Sequence, residues 1–150
     1  MRMNWKIKTF DELTTNELYA ILRERVDIFV VEQQCAYREL DNFDQSSYHI
    51  YACDGKEIAA YARILPSGTA YPELSIGRVL VKESYRGRGL AVELMKRALD
   101  FIREELKEKV VRLQAQEYLL SFYGSLGFEK ISEVYLDEGI PHADMLLKFK

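Results

Sequence analysis

The stretch Val79-Leu80-Val81-Lys82-Glu83-Ser84-Tyr85-Arg86-Gly87-Arg88-Gly89-Leu90-Ala91 reads as the end of a strand, a short polar turn and the opening of a helix. Ile76, Val79, Leu80 and Val81 supply a β-rich apolar run that begins near Ser75. Leu90, Ala91, Leu94, Met95, Ala98, Leu99 and Ile102 recur at three-to-four spacing, which places them on one face of a helix. Between the two sits Arg86-Gly87-Arg88-Gly89. Its glycines let the backbone approach a ligand, and the amides that follow are the unpaired donors of a helix start. Peptide dipoles add partial positive charge there and the arginines add full charges, so the turn suits a phosphate or pyrophosphate.

Spacing narrows the choice of ligand. A Walker loop needs a Gly-Lys-Ser/Thr that is absent, and the dinucleotide fingerprint needs a third glycine where this chain has Val92. What remains is Arg86-x-x-Gly89-x-Ala91 at a strand end, which resembles the Q/R-x-x-G-x-G/A signature of the GCN5-related N-acetyltransferases (GNAT). That family holds the pyrophosphate of acetyl-coenzyme A with this segment, so the resemblance implies Arg86, Gly87, Arg88, Gly89, Leu90 and Ala91 as cofactor-binding. A plain tight turn with solvated arginines is the other reading of the window.

The chain around this stretch suits one domain, residues 1–150, with a core of ordinary size. Apolar residues make up 48% and charged residues 30%, and a net charge of −3 argues against nucleic acid as a general partner. No run is long enough to span a membrane, and the N-terminus lacks the apolar segment of a secretion signal, so a cytoplasmic protein is expected. Cys35 and Cys53 are expected as reduced, mostly buried thiols.

Upstream, Asn4 to Phe10 alternates as a strand, and Thr14-Thr15-Asn16-Glu17 is a capping box opening a helix. The buried face of that helix is Leu18, Ile21, Leu22, Arg25 or Val26, and Phe29. Val30 to Asp44 then loses periodicity and collects Glu32, Gln33, Gln34, Arg38, Glu39, Asp41, Asn42 and Asp44. It reads equally as a loop or broken helix lining a site and as a solvated connection. Tyr48–Cys53 and Glu57–Leu65 flank Asp54-Gly55 as an antiparallel hairpin. Downstream, Val110–Gln116 is a strand, Tyr118–Gly124 a short helix, and Lys130–Leu136 and Met145–Phe149 two last strands joined across Asp137–His142. Strands interleaved with three helices give a mixed α/β or α+β sheet.

The order Gln116, Tyr123, Gly127-Phe128 strengthens the resemblance, because the family follows its next strand with an Asn-like residue and then a short helix carrying a Tyr before a Gly-Phe. Gln116 keeps an amide where the family has Asn. The segments Leu22–Asp41, Ala60-Tyr61-Ala62-Arg63, Ile76-Gly77-Arg78-Val79, Leu113-Gln114-Ala115-Gln116 and Asp137-Glu138-Gly139-Ile140-Pro141-His142 look like the ElaA-like subfamily. The resemblance implies the GNAT acyl-CoA N-acyltransferase fold: a central, largely antiparallel twisted sheet of about six to seven strands, flanked by helices and splayed at the acetyl-CoA cleft.

It also implies a chemistry. Acetyl-CoA would lie along the strand ending at Val81, with a backbone amide near Val79 or Leu80 holding the oxyanion while a primary amine attacks the thioester. Tyr123 would protonate the departing thiolate and, with Gln116, contact the cofactor. The amine needs a base, for which Glu32, Asp41, Asp44, His49, Glu73 and His142 are available; Glu32 and His49 are preferred as catalytic groups. Asp41 and Asp44 are candidates to recognise a cationic acceptor, with His142 beside them, and Arg63 and Arg78 to bind an anionic part of it or to pair with a carboxylate. No close histidine pair suggests a metal. A non-catalytic acyl-CoA-binding module is the alternative to an N-acetyltransferase, and monomer and homodimer are both open.

Overall fold

In the computed structural model, which describes residues 3–150, strand β1 (Asn4–Thr9) leads through a 3-10 turn into helix α1 (Thr15–Val26). The capping box forms: Thr14 Oγ1 accepts the Glu17 amide at 3.1 Å, and Glu17 accepts the Thr14 amide at 2.9 Å. Glu17 also receives Lys6, Lys8 and Tyr51, so this cap ties α1 to the sheet. The helix does not stop at Val26. Its ladder widens into a π-turn over Asp27–Glu32, a local change of pitch that sends the chain into the loop of residues 33–47.

Strands β2 (Tyr48–Asp54) and β3 (Glu57–Leu65) pair antiparallel, with Asp54 facing Glu57 across a turn whose Gly55 has φ +61°. Strand β4 (Leu74–Val81) is followed by helix α2 (Leu90–Glu104), as the spacing of apolar residues predicts. Strand β5 (Val110–Gln116), a 3-10 turn and the short helix α3 (Leu120–Ser125) come next. The chain ends in β6 (Glu129–Lys130), β7 (Tyr135–Asp137) and β8 (Ile140–Lys148).

These eight strands form one sheet in the order β1-β2-β3-β4-β5-β8-β6, with β7 also on β8, and every pair is antiparallel except β4 with β5. Eight rather than six or seven strands arise at the C-terminal end, where the expected single strand Lys130–Leu136 is broken. Ser132 leaves the ladder and its hydroxyl accepts the Asp144 amide at 2.8 Å. The expected connection Asp137–His142 is instead a tight hairpin, with Glu138 at φ +51° and Gly139 at φ +77°, both positive as a type I′ turn requires. Strand β8 therefore starts at Ile140, five residues before the expected Met145, and places His142 opposite Gln116.

Alternation sorts the sheet into two faces. Ile50, Ala52, Ala60, Ala62, Ile64, Ile76, Leu113, Ala115 and Met145 pack with the buried stripe of α2, Leu90, Leu94, Met95, Ala98 and Ile102. On the other face Tyr51, Ile58, Tyr61 and Leu80 pack with Ile21 and Ile28 of the first helix. Among the described residues no helix is long and apolar enough to cross a membrane.

Candidate active site

The parallel pair is short. Strands β4 and β5 match only Leu74–Ile76 with Val111–Leu113, and beyond that point they part. A bulge in β4 helps the divergence: Tyr61 faces Leu80 and Arg63 faces Gly77, so Arg78 and Val79 together oppose Ala62. Arg78 takes φ +53° there, a conformation that costs a side-chain-bearing residue about 1–2 kcal/mol. The gap between the strands opens a cleft of about 250 Å³. Gly77, Arg78 and Val79 line one edge and Gln114 and Gln116 the other, with Tyr123 and Leu119 on the helical side. Asp41, Cys35 and Tyr37 of the 33–47 loop, Arg63, and Asp137, Glu138 and His142 of the last hairpin line the opposite side.

Val79 therefore lies at the cleft, Leu80 is buried under α1, and the Val81 carbonyl accepts Arg86 Nε at 2.9 Å. The signature turn follows. Gly87 and Gly89 sit at φ +80° and +78°, and a Cβ at either would meet nothing within 4 Å, so glycine is required there by backbone conformation rather than by crowding. Gly89 is the N-cap of α2 and no side chain caps it. The amides of Leu90 and Ala91 thus have no intrahelical acceptor and remain donors for an anion. Arg88 stacks on the Tyr85 ring at 5.4 Å, and Tyr85 Oη lies 2.6 Å from Asp54 and 2.8 Å from Glu57, which pins the turn to the β2–β3 hairpin.

Tyr123 is 6% exposed, packs edge-on against Phe122 and Phe128, and donates no hydrogen bond among the described residues. Burial pushes its phenol well above the usual range, which keeps the proton on the oxygen until a stronger base arrives. Gln116 stands across the strand pair from His142.

The loop wall is held by a lattice of three arginines and three carboxylates. Arg25, fully buried, donates from Nε to Glu39 at 2.8 Å and from Nη1 to Asp44 at 2.8 Å. Arg63 grips both oxygens of Asp41 at 2.8 Å and reaches Asp44 at 3.0 Å. Arg78 donates to Glu39 at 2.7 Å and to Asp41 at 3.3 Å, which holds its strained backbone in place. Tyr37 hydrogen-bonds Glu39 and stacks under Arg78. Burial would raise the Asp41 carboxyl, but hydrogen bonds and charge from Arg63 outweigh it and bring it down to about 2. Asp44 is likewise lowered, burial being outweighed by Arg25 and Arg63.

The sequence-predicted groups thus divide. Tyr123, Gln116, Val79, Asp41, Arg63, Arg78 and His142 meet at the cleft. Asp44 lies behind it, and Arg63 and Arg78 spend their charge on carboxylates of the chain rather than standing ready for an anionic acceptor. Glu32 is exposed outside the cleft, where it accepts Arg86 at 3.1 and 3.2 Å. His49 is also outside it and 0% exposed: its Nε2 donates to the Asp44 carbonyl at 3.0 Å, so Nδ1 must accept from the Tyr61 hydroxyl at 2.6 Å. Both nitrogens are used, and burial depresses its pKa. Arg25, Glu39 and Tyr37 were not among the predicted site residues. A cation on the apolar face of α1, which must find buried anions, was the signal for the first.

Residues 13–149 match the model of the acetyltransferase (GNAT) domain. Protein ElaA of Escherichia coli K12 is 39% identical over 145 residues, covering 95% of each chain. The crystal structure of E. coli ElaA superposes with a TM-score of 0.92 at 38% identity, covering 98% of this chain and 100% of that one. An acyl-CoA N-acyltransferase from Pseudomonas aeruginosa gives 0.93 at 38% identity over 97% and 99%.

Proposed function

Because the chain belongs to the GNAT acetyltransferase family and is ElaA-like within it, we propose that it transfers an acetyl group from acetyl-CoA to a primary amine by direct attack, with Tyr123 protonating the coenzyme A thiolate. The observation that carries this is the parting of β4 from β5 with Tyr123 at the gap. The unpaired edge of β4 can receive the pantetheine arm as an added strand, and the pyrophosphate end then reaches the Gly87–Ala91 turn. A backbone amide near Val79 or Leu80, beside the β4 bulge, would hold the oxyanion, an effect often worth about 3 kcal/mol. As the tetrahedral intermediate collapses, the C–S bond breaks and the Tyr123 proton goes to sulfur. A neutral, buried phenol suits that step. Gln116 supports the cofactor from the β5 edge, and a cytoplasmic location goes with this cosubstrate.

The test has two parts. Saturating acetyl-CoA at a hundred times its dissociation constant stabilises by about 2.7 kcal/mol, or roughly 5–11 °C in a chain of this size, and Arg88→Glu should remove that rise while NAD should not produce one. Coenzyme A release is then followed with tyramine, spermidine, glycinamide and an Nα-blocked lysine amide as acceptors. Tyr123→Phe should lose at least tenfold in kcat with acetyl-CoA affinity retained. Binding without release on any of these amines would favour an acyl-CoA-binding module instead.

A further inference from the structure

The two histidines of the chain hold their protons in opposite ways. The Nδ1 of His142 lies 2.7 Å from the Ile140 carbonyl, and a carbonyl only accepts, so Nδ1 carries the hydrogen. In the neutral ring Nε2 is then a bare lone pair, and among the described residues it takes no hydrogen bond. His49 has the reverse tautomer with its lone pair already occupied by Tyr61. The His142 ring is stacked on Tyr135 at 6.4 Å and 26°, lies at the cleft, and is the cross-strand partner of Gln116. It stands on the sheet face away from α2, as Ala143 and Met145 take the opposite parity and Met145 packs into the α2 core.

We infer that His142 Nε2 is the base that deprotonates the acceptor amine, an assignment that rests on the acetyl-transfer reading above. The acceptor then enters from the loop side, between the 33–47 loop and the Glu138-Gly139 turn, while the cofactor lies toward Tyr123. An ammonium gives one proton to His142, which passes it to solvent. The nitrogen lone pair forms the C–N bond, the C–S bond breaks, and Tyr123 protonates sulfur. The second proton on the new C–N nitrogen restores the Tyr123 phenol. One proton is released per acetyl group transferred. The ionisable groups around the imidazole are Tyr135, Asp137 and Glu138 of its own hairpin, and Asp144, which is engaged by Tyr135 and Arg112. Cys35, Tyr37 and Asp41 of the loop, Arg63 and Arg78 of the far strands, Tyr71 and Tyr123 line the same cleft.

The test uses the amine from the panel above that gives the fastest coenzyme A release. His142→Gln should lower kcat/KM at least tenfold with the acetyl-CoA-induced rise in Tm intact. His142→Ala should regain rate with added imidazole. A His142→Gln variant that keeps its rate overturns the assignment. So does two-bond proton–nitrogen NMR showing His142 protonated on Nε2, the variant serving to tell its signals from those of His49. If the wild type itself releases no coenzyme A with any amine, the transfer reading falls and takes the base with it, an outcome distinct from an active enzyme indifferent to His142.

Discussion

Replacing Arg25 by Met tests whether the loop wall of the cleft is held by its ion lattice. Arg25 is fully buried and serves two carboxylates, Glu39 and Asp44, which are themselves almost wholly enclosed. Removing one partner of a buried ion pair leaves uncompensated charge and costs about 3–5 kcal/mol. Here each carboxylate keeps a second arginine, Glu39 through Arg78 at 2.7 Å and Asp44 through Arg63 at 3.0 Å, so the loss belongs at the lower end, about 3 kcal/mol. Urea unfolding should show that loss with an unchanged slope, and Tm should fall by roughly 6–12 °C. The 33–47 loop should also loosen before the rest of the fold, so trypsin should cut faster after exposed Arg38 in the variant than in the wild type. A loss under about 1 kcal/mol, with cleavage at Arg38 unchanged, would refute the idea that this lattice positions the loop.

Glu32 and the acid stability of the network give two further expectations. Glu32→Gln should leave kcat intact, leave stability within about 1 kcal/mol because the pair with Arg86 is solvent-exposed, and leave acetyl-CoA affinity equal or tighter as Arg86 turns to phosphate; a tenfold loss of kcat alone would restore Glu32 as a base. For pH, a depressed folded pKa means stability present above the unfolded value and lost as pH falls. His49, ordinarily near 6.5 and lowered by burial, should make the urea midpoint decline as pH falls below about 6.5. Asp41, lowered from 3.8 to about 2, adds a second decline below about pH 4. His49→Gln should remove only the first, and a midpoint that is flat or rises toward acid would contradict the buried neutral imidazole.

Local order was written in the chain wherever neighbours in sequence carried it. The β4–turn–α2 unit, the Thr14–Glu17 cap and the Asp54-Gly55 hairpin all rest on contacts within a few residues, and each stands as the pattern implies. The lattice was not legible in the same way. Arg25, Glu39, Asp41, Asp44, Arg63 and Arg78 are brought together from α1, the loop, β3 and β4, and no periodicity in one segment reports its charges' partners in another. Composition alone left the acidic loop able to receive a cationic acceptor; the fold spends those carboxylates on its own arginines.

The histidines show how a single register decides chemistry. His49 and His142 are both strand residues, and in sequence His49 reads as the better placed because it starts a strand that could border the cleft, whereas His142 falls in the expected Asp137–His142 connection. Proline lacks an amide hydrogen and so argues against a central strand. Pro141 nevertheless sits at the second position of β8, opposite Leu136 of the three-residue β7, where a hairpin closed by two positive-φ residues tolerates it. That turn starts β8 early, and its alternation sets His142 beside Gln116 at the cleft. On β2 the same alternation turns His49 under the loop, between Asp44 and Tyr61, with no nitrogen left to act. Acid–base chemistry at this cleft therefore depends on the Glu138-Gly139 turn as much as on the imidazole, because shifting β8 by one residue would turn His142 to the α2 face and put Ala143 in its place.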